Sequence, residues 1–203
     1  MADTRLGWKR ALEYARQLVS DGELSRAEHL KAIDKMAGSD HAQDQRIAVG
    51  LLKAFIDKYP EDFDRDLSLD KMIEYGTDLC RSNWKDFGRQ VLYPMLEKRS
   101  VPAVWVDRIA DEESTQLRQA FAEALHELAK RKRNLLERIL GMMMYFLDEP
   151  DAEARKRLAK AMKAIGMRDP ERLHYFLTNH EEGAGTNRLA LIAQTRDILG
   201  WKQ

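Results

Sequence analysis

The chain has 203 residues, 44% of them hydrophobic, which is enough to bury a core in one domain or in two very small ones. Its 34 basic and 34 acidic side chains give zero net charge, so it lacks the overall cationic composition of many polyanion-binding proteins. The single cysteine excludes an internal disulfide and a zinc site built from cysteines. No apolar run is long enough to cross a bilayer and the start lacks a signal-peptide pattern, so we expect a cytoplasmic protein that does not bind a membrane.

Apolar residues recur with helical spacing along almost the whole chain, and no stretch alternates as a strand would. Several helix ends are marked by local chemistry: Ser25 with Glu28 predicts a capping box, and Asp169 with Pro170 predicts the start of a late helix. The predicted fold class is therefore all-α. The predicted helices lie near 4–20, 25–37, 41–58, 68–80, 84–98, 101–110, 113–131, 134–147, 151–166, 169–179 and 187–199.

One apolar pattern occurs twice in the second half of the chain. RQAFAEALHELAKR (118–131) can be laid over RKRLAKAMKAIGMR (155–168) with matching apolar positions at an offset of 37 residues. A further helix begins at Arg188, 33 residues after Arg155, and QRIAVGLLKAF (45–55) resembles an earlier copy. These intervals approach the roughly 40-residue period of HEAT-type helical repeats.

The pattern predicts a HEAT-like α-solenoid of antiparallel helix pairs. We expect residues 1–203 to form a single domain, with 1–40 as an amino-terminal helical cap and 41–199 as the repeats. An irregular helical bundle is the alternative architecture.

The helix predicted at 151–166 carries a cationic face. Lys156, Lys160 and Lys163 share one side, because they are separated by four and three residues, and they lie opposite Leu158 and Met162. From residue 118 to residue 168 the sequence has 12 basic and 7 acidic side chains. If corresponding helices of successive repeats lie side by side, these cations could form a stripe that binds phosphates. A lysine face that is merely solvated is the alternative interpretation.

Five segments occur in the order seen in a known family: SNW (82–84), VLYPML (91–96), STQLRQAF (114–121), EARKRLAKAMKAIGMRDPERLHYFL (153–177) and TNRLALI (186–192). They resemble the HEAT-like DNA alkylation repair family (AlkD-like alkylpurine DNA glycosylases) over roughly residues 41–199. The resemblance implies a positively lined α-solenoid that grips duplex DNA by its backbone. It also implies a tryptophan-lined cleft for a cationic alkylated nucleotide, with a carboxylate that helps to break the glycosidic bond.

The resemblance assigns DNA contacts to particular residues. Arg118, Arg155, Lys156 and Arg188 match the cations with which the family grips the backbone. Lys160 lies on the same cationic face as Lys156, so we expect all five side chains to bind DNA.

The catalytic cleft departs from the family pattern. Trp84 matches the tryptophan that precedes the catalytic aspartate, but Gly88 stands at the place of that aspartate. Asp86 is the carboxylate nearest in sequence, so Trp84 and Asp86 form the candidate catalytic pair, with Asp111 or Glu113 as alternative carboxylates. Because other cleft tryptophans are also replaced, we expect DNA binding to be kept and base excision to be lost or changed.

A second hypothesis belongs to a different class of function: a non-enzymatic solenoid scaffold that binds a protein partner. Zero net charge and the altered cleft favour it, whereas the cationic face and the matched arginines favour DNA.

None of the five histidines has metal-ligand spacing, and His126 and Glu127 are adjacent on a helix and so point in different directions. We therefore expect no metal, no cofactor and a monomer.

Overall fold

The computed structural model describes residues 10, 13–15, 17, 24–59, 69–98 and 102–201. All regular structure in these ranges is helical, which confirms the predicted all-α class. The chain divides into two compact units, residues 1–95 and residues 96–203. The helix predicted at 4–20 lies mostly outside the described residues.

The first unit contains the described helices α1 (Arg26–Ala37), α2 (Ala42–Lys58) and α3 (Leu69–Phe87), followed by a π-helical turn (Gly88–Leu92). The boundary between the two units lies within the next helix, α4 (Tyr93–Lys98). The second unit continues with α5 (Ala103–Ala110), α6 (Thr115–Arg131), α7 (Leu136–Met143), α8 (Ala152–Gly166), α9 (Pro170–Asn179) and α10 (Thr186–Leu199). Short 3₁₀ turns, Arg133–Leu135 and Met144–Phe146, precede and follow α7.

The first unit confirms one local prediction and modifies another. Ser25 and Glu28 form the expected capping box at the start of α1. The chain was expected to break between 80 and 84, but α3 runs on to Phe87 through a kink at Asn83, whose backbone is not helical (φ −133°, ψ 24°). The Asn83 side chain accepts a hydrogen bond from Arg46 Nε at 3.4 Å. The kink thus marks the expected break without ending the helix.

The second unit contains three helices, α6, α8 and α10, that run side by side in the same direction. At their amino-terminal ends, Gln119 of α6 donates to Asp151 at the start of α8, at 2.9 Å. At their carboxyl-terminal ends, Arg168 after α8 donates to the carbonyl oxygen of Ala129 in α6, at 2.5 Å. In the middle of the row, Thr195 Oγ1 of α10 lies 3.4 Å from Met162 Sδ of α8. Residues 32–39 apart in sequence thus meet, as the repeat pattern predicts, while a solenoid through the whole chain stays a prediction.

The apolar side of α8 forms the core of this unit. Leu158, Ala161, Met162 and Ile165 are buried as the periodicity predicts. Gly166 lets α9 approach closely, because a Cβ atom there would lie 2.7 Å from Leu173 Cδ2. None of the helices in the described ranges is long and apolar enough to span a membrane.

Candidate nucleic-acid interface

The outer side of α8 presents Lys156, Lys160 and Lys163, which we call the cationic ridge. Lys156 and Lys163 are exposed and Lys160 is half-exposed. Lys156 Nζ lies 4.0 Å from the nearest carboxylate oxygen, on Glu153, which is the limit for an ion pair. Lys160 and Lys163 form no ion pair with any residue that the structure describes. The ridge therefore carries charge that is available to a ligand.

The ridge is only one helix wide. The positions that correspond to its lysines on α6 and α10, at offsets of 37 and 33 residues, are Gln119, Glu123 and His126, and Leu189, Ala193 and Arg196. Arg196 is the one cation among these six positions, and it is paired with Glu181 at 2.5 Å. The expected stripe of cations across several helices is therefore reduced to the lysines of α8.

Three of the arginines predicted to bind DNA converge on the loop 148–151, here called the acidic loop. Arg188 forms a fork-shaped ion pair with Asp148, with Nε 3.3 Å from Oδ1. Arg155 donates to the carbonyl oxygens of Glu149 and Pro150 at 2.8 and 2.6 Å. Arg118 pairs with the Glu149 carboxylate, with Nε 3.0 Å from Oε2. The acidic loop is therefore held by one arginine from each helix of the row.

Arg118 lies in the interior of the unit. The exposed fraction of Arg118 is 8%, and that of its partner Glu149 is 4%. The guanidinium also donates to the carbonyl oxygen of Glu112, and Glu149 accepts the backbone N–H of Asp151 at 2.9 Å. A buried arginine needs such a set of partners, because an unpaired charge in the interior is costly. Sequence reasoning missed this pairing, because the two residues are 31 positions apart in the chain.

The candidate catalytic residues lie in the first unit. Trp84 and Asp86 are both half-buried, between the kink at Asn83 and the π-helical turn that starts at Gly88. Burial raises the pKa of the Asp86 carboxyl, against the opposing attraction of the cations Arg89, Arg46 and Lys85. The alternative carboxylates, Asp111 and Glu113, are exposed residues of the second unit.

A group that sequence reasoning missed lies on α6. One ligand atom from each of Glu123, His126 and Glu127 lies within 4.8 Å of the other two, although adjacent side chains were expected to point apart. Burial lowers the pKa of His126, against the opposing effect of the two carboxylates. Glu123 Oε2 lies 3.3 Å from Arg157 Nη1, and Glu127 Oε2 lies 2.8 Å from Arg131 Nη2. Each carboxylate therefore has an arginine partner: the Glu123–Arg157 pair joins α6 to α8, and the Glu127–Arg131 pair lies within α6.

An open hollow of about 510 Å³ lies beside α9 and is mostly apolar. His174 and Trp201 contribute rings 6.0 Å apart, and Tyr175 is largely exposed at its edge. Nothing in the hollow resembles a phosphate site, because its one charged lining residue is the acidic Glu171.

Comparisons of this chain with family models, curated proteins and solved structures found no match. The resemblance to the DNA alkylation repair family therefore stays a prediction that depends on the five segments quoted above.

Proposed function

We propose that the second unit binds the sugar–phosphate backbone of duplex DNA through the cationic ridge on α8. The observation that carries the proposal is the set of three solvent-accessible lysines, two of which, Lys160 and Lys163, form no ion pair among the described residues. Seven residues of α-helix separate the first lysine from the last, which is about 10 Å along the axis at ~1.5 Å per residue. Measured along the axis of B-DNA, where one strand carries a phosphate about every 3.4 Å, this length corresponds to roughly three phosphates.

The other predicted DNA contacts have different roles in the proposal. Arg155 and Arg188 flank the ridge and still have guanidinium donors beyond those used by the acidic loop. Arg118 supports the interface indirectly, because its pairing with Glu149 fixes the acidic loop and with it the start of α8.

Base excision is not part of the proposal. A carboxylate helps this reaction only when it is ionised and faces the positive charge that develops on the sugar. Burial acts against ionisation of Asp86, and Gly88 replaces the family's aspartate. Trp84 and Asp86 therefore stay a predicted catalytic pair with no further observation in their favour.

Fluorescence anisotropy with a labelled duplex of about 20 base pairs, from about 50 to 200 mM salt, tests the proposal. The variant Lys160→Ala/Lys163→Ala is expected to weaken binding at low salt about tenfold or more, and to reduce the slope of log K against log salt by about two. The matched control is Lys31→Ala/Lys35→Ala, which removes two exposed lysines from α1.

Two results would overturn DNA binding by the ridge: no binding of the wild type at the lowest salt, or equal losses in the ridge variant and its control. The first result would favour the protein-scaffold hypothesis, and a partner protein should then be sought.

A further inference from the structure

Arg188, in the first turn of α10, binds a carboxylate of the chain itself, that of Asp148. The cap residue of this helix is Gly185, so no side chain caps the free N–H groups of the first turn. The carboxylate of Asp148 lies beside this end: its Oδ1 is 3.9 Å from the position that a Cβ on Gly185 would take. Arg188, in the same turn, grips that carboxylate with Nε and a terminal nitrogen. Asn187 donates to the backbone carbonyl of Asp148 at 3.4 Å.

Arginine binds phosphate with the same fork-shaped arrangement. A guanidinium presents two parallel N–H donors, which match two oxygens of a carboxylate or of a phosphate equally well. The Asp148 carboxylate therefore occupies two donors of Arg188 that a phosphate would also match.

Asp148 and Glu149, two of the three acids of the loop, differ in how firmly they are held. The Glu149 side chain is 1% exposed, and its pairing with Arg118 is internal. The Asp148 side chain is 56% exposed and that of Arg188 is 29% exposed. An exposed ion pair is worth little in water, so a phosphate can replace Asp148 at small cost. Glu149 anchors the loop while Asp148 can leave the arginine.

Removal of Asp148 from Arg188 would extend the cationic ridge. Arg155 lies between the lysines of α8 and Arg188: it is on α8, and its Nη1 is 3.4 Å from Oδ1 of Asn187, the residue before Arg188. Lys156 follows Arg155 on α8. The freed arginine would thus continue the series of cations from the lysines of α8 to the start of α10.

We propose that Asp148 is an internal competitor for DNA phosphate: it occupies Arg188 in the free protein and is displaced when the backbone binds. This inference rests on the proposed function, since it describes regulation of the same interface.

Duplex affinity of Asp148→Asn, measured by anisotropy at about 50 mM salt, tests the competitor. The expected result is a two- to fivefold gain over the wild type, because the amide no longer neutralises Arg188. Glu182→Gln is the matched control: it removes one negative charge from an exposed residue before α10 that forms no ion pair with described residues. Its gain is expected to be smaller than that of Asp148→Asn.

The Arg188→Ala background separates occupation of Arg188 from a general effect of charge. There Asp148→Asn is expected to gain no more than Glu182→Gln, because the contested arginine is absent. The competitor is overturned if Asp148→Asn and Glu182→Gln give equal gains in the wild type, or if the full gain persists without Arg188.

The result also distinguishes the two proposals. Suppose that the wild type binds, that the ridge variant loses affinity and that Asp148→Asn gains nothing over its control. In that case DNA binding by the ridge stands, and only the proposal that Asp148 competes with phosphate fails. If neither the wild type nor Asp148→Asn binds at low salt, both proposals fail.

Discussion

The arginines around the acidic loop have different energetic roles, although the sequence resemblance predicts the same role, binding of the DNA backbone, for all of them. Arg118 is buried with Glu149, whereas Arg188 and Asp148 lie at the surface. An ion pair in the interior depends strongly on both partners, because either one alone leaves an uncompensated charge. Loss of Arg118 should therefore affect folding, and loss of Arg188 should affect binding.

Arg118→Met is expected to lower the free energy of unfolding by about 3 kcal/mol, because Glu149 would remain buried without its counter-charge. Urea denaturation followed by circular dichroism measures this change. Arg133→Met, at an exposed arginine in the 3₁₀ turn before α7, is the control and should change the free energy by less than about 0.5 kcal/mol. Equal small effects of the two substitutions would contradict a structural role for Arg118.

Asp86 should make the first unit less stable as the pH rises. Its pKa is raised by burial, so the folded protein holds the proton at pH values where the unfolded chain has released it. The loss of unfolding free energy that Asp86 causes is absent at a pH below the ordinary pKa of aspartate, because Asp86 is then protonated in both states. The loss develops as the pH rises from that ordinary pKa through the raised pKa of the folded protein. Asp86→Asn is therefore expected to increase the melting temperature at neutral pH, and the difference should vanish in acid.

Thermal melts of wild type and Asp86→Asn between about pH 3 and pH 8 measure this effect, since the pKa of a free aspartate is about 3.9. A variant that is less stable than the wild type at neutral pH would show that attraction by Arg46 and Arg89 outweighs burial. Asp111→Asn, at an exposed carboxylate, is the matched control.

At the scale of elements, the second unit depends on how closely its helices approach. Gly166 ends α8 at the point where Leu173 of α9 and Leu199 of α10 meet it. Leu173 is fully buried, so it has little room to move away from an added methyl group. The glycine is explained by this close approach and not by its backbone conformation, since its φ is not positive.

Gly166→Ala is expected to destabilise the protein by about 1–2 kcal/mol, because crowding in the core outweighs the better helix propensity of alanine. Gly141→Ala in α7 is the control, since a Cβ there would meet no atom within 4 Å. That variant should gain up to about 1 kcal/mol from helix propensity. Urea denaturation distinguishes the two, and a gain in both would contradict the close approach.

At the scale of the whole molecule, the equal numbers of acidic and basic groups limit how DNA can be bound. A neutral protein gains no long-range attraction to a polyanion, so binding has to arise from a local group of cations. The cationic ridge is such a group, and the acidic loop beside it opposes part of its charge. We therefore expect weak affinity at physiological salt, with the salt dependence set by the few lysines of α8.

Signals that act within a few residues are sufficient for much of what was predicted. The capping box at Ser25, the proline start of α9 and the core face of α8 were all predicted, because each depends on neighbours within one or two helical turns. The offset of 37 residues also indicated that α6 and α8 lie side by side: their carboxyl-terminal ends are joined by Arg168 and Ala129, and the matched Leu128 and Ile165 are both buried.

The sequence by itself determined the all-helical class, most helix ends and the outward lysines of α8. Only the tertiary structure decided which cations are available. Arg118 and Glu149 are 31 residues apart, and Arg188 and Asp148 are 40 residues apart. Whether such charges meet depends on the stacking of α6, α8 and α10, and burial then makes one pair internal and leaves the other exposed. A charge pattern in sequence gives the sign of a side chain but not its partner, and the partner decides whether that charge can bind a ligand.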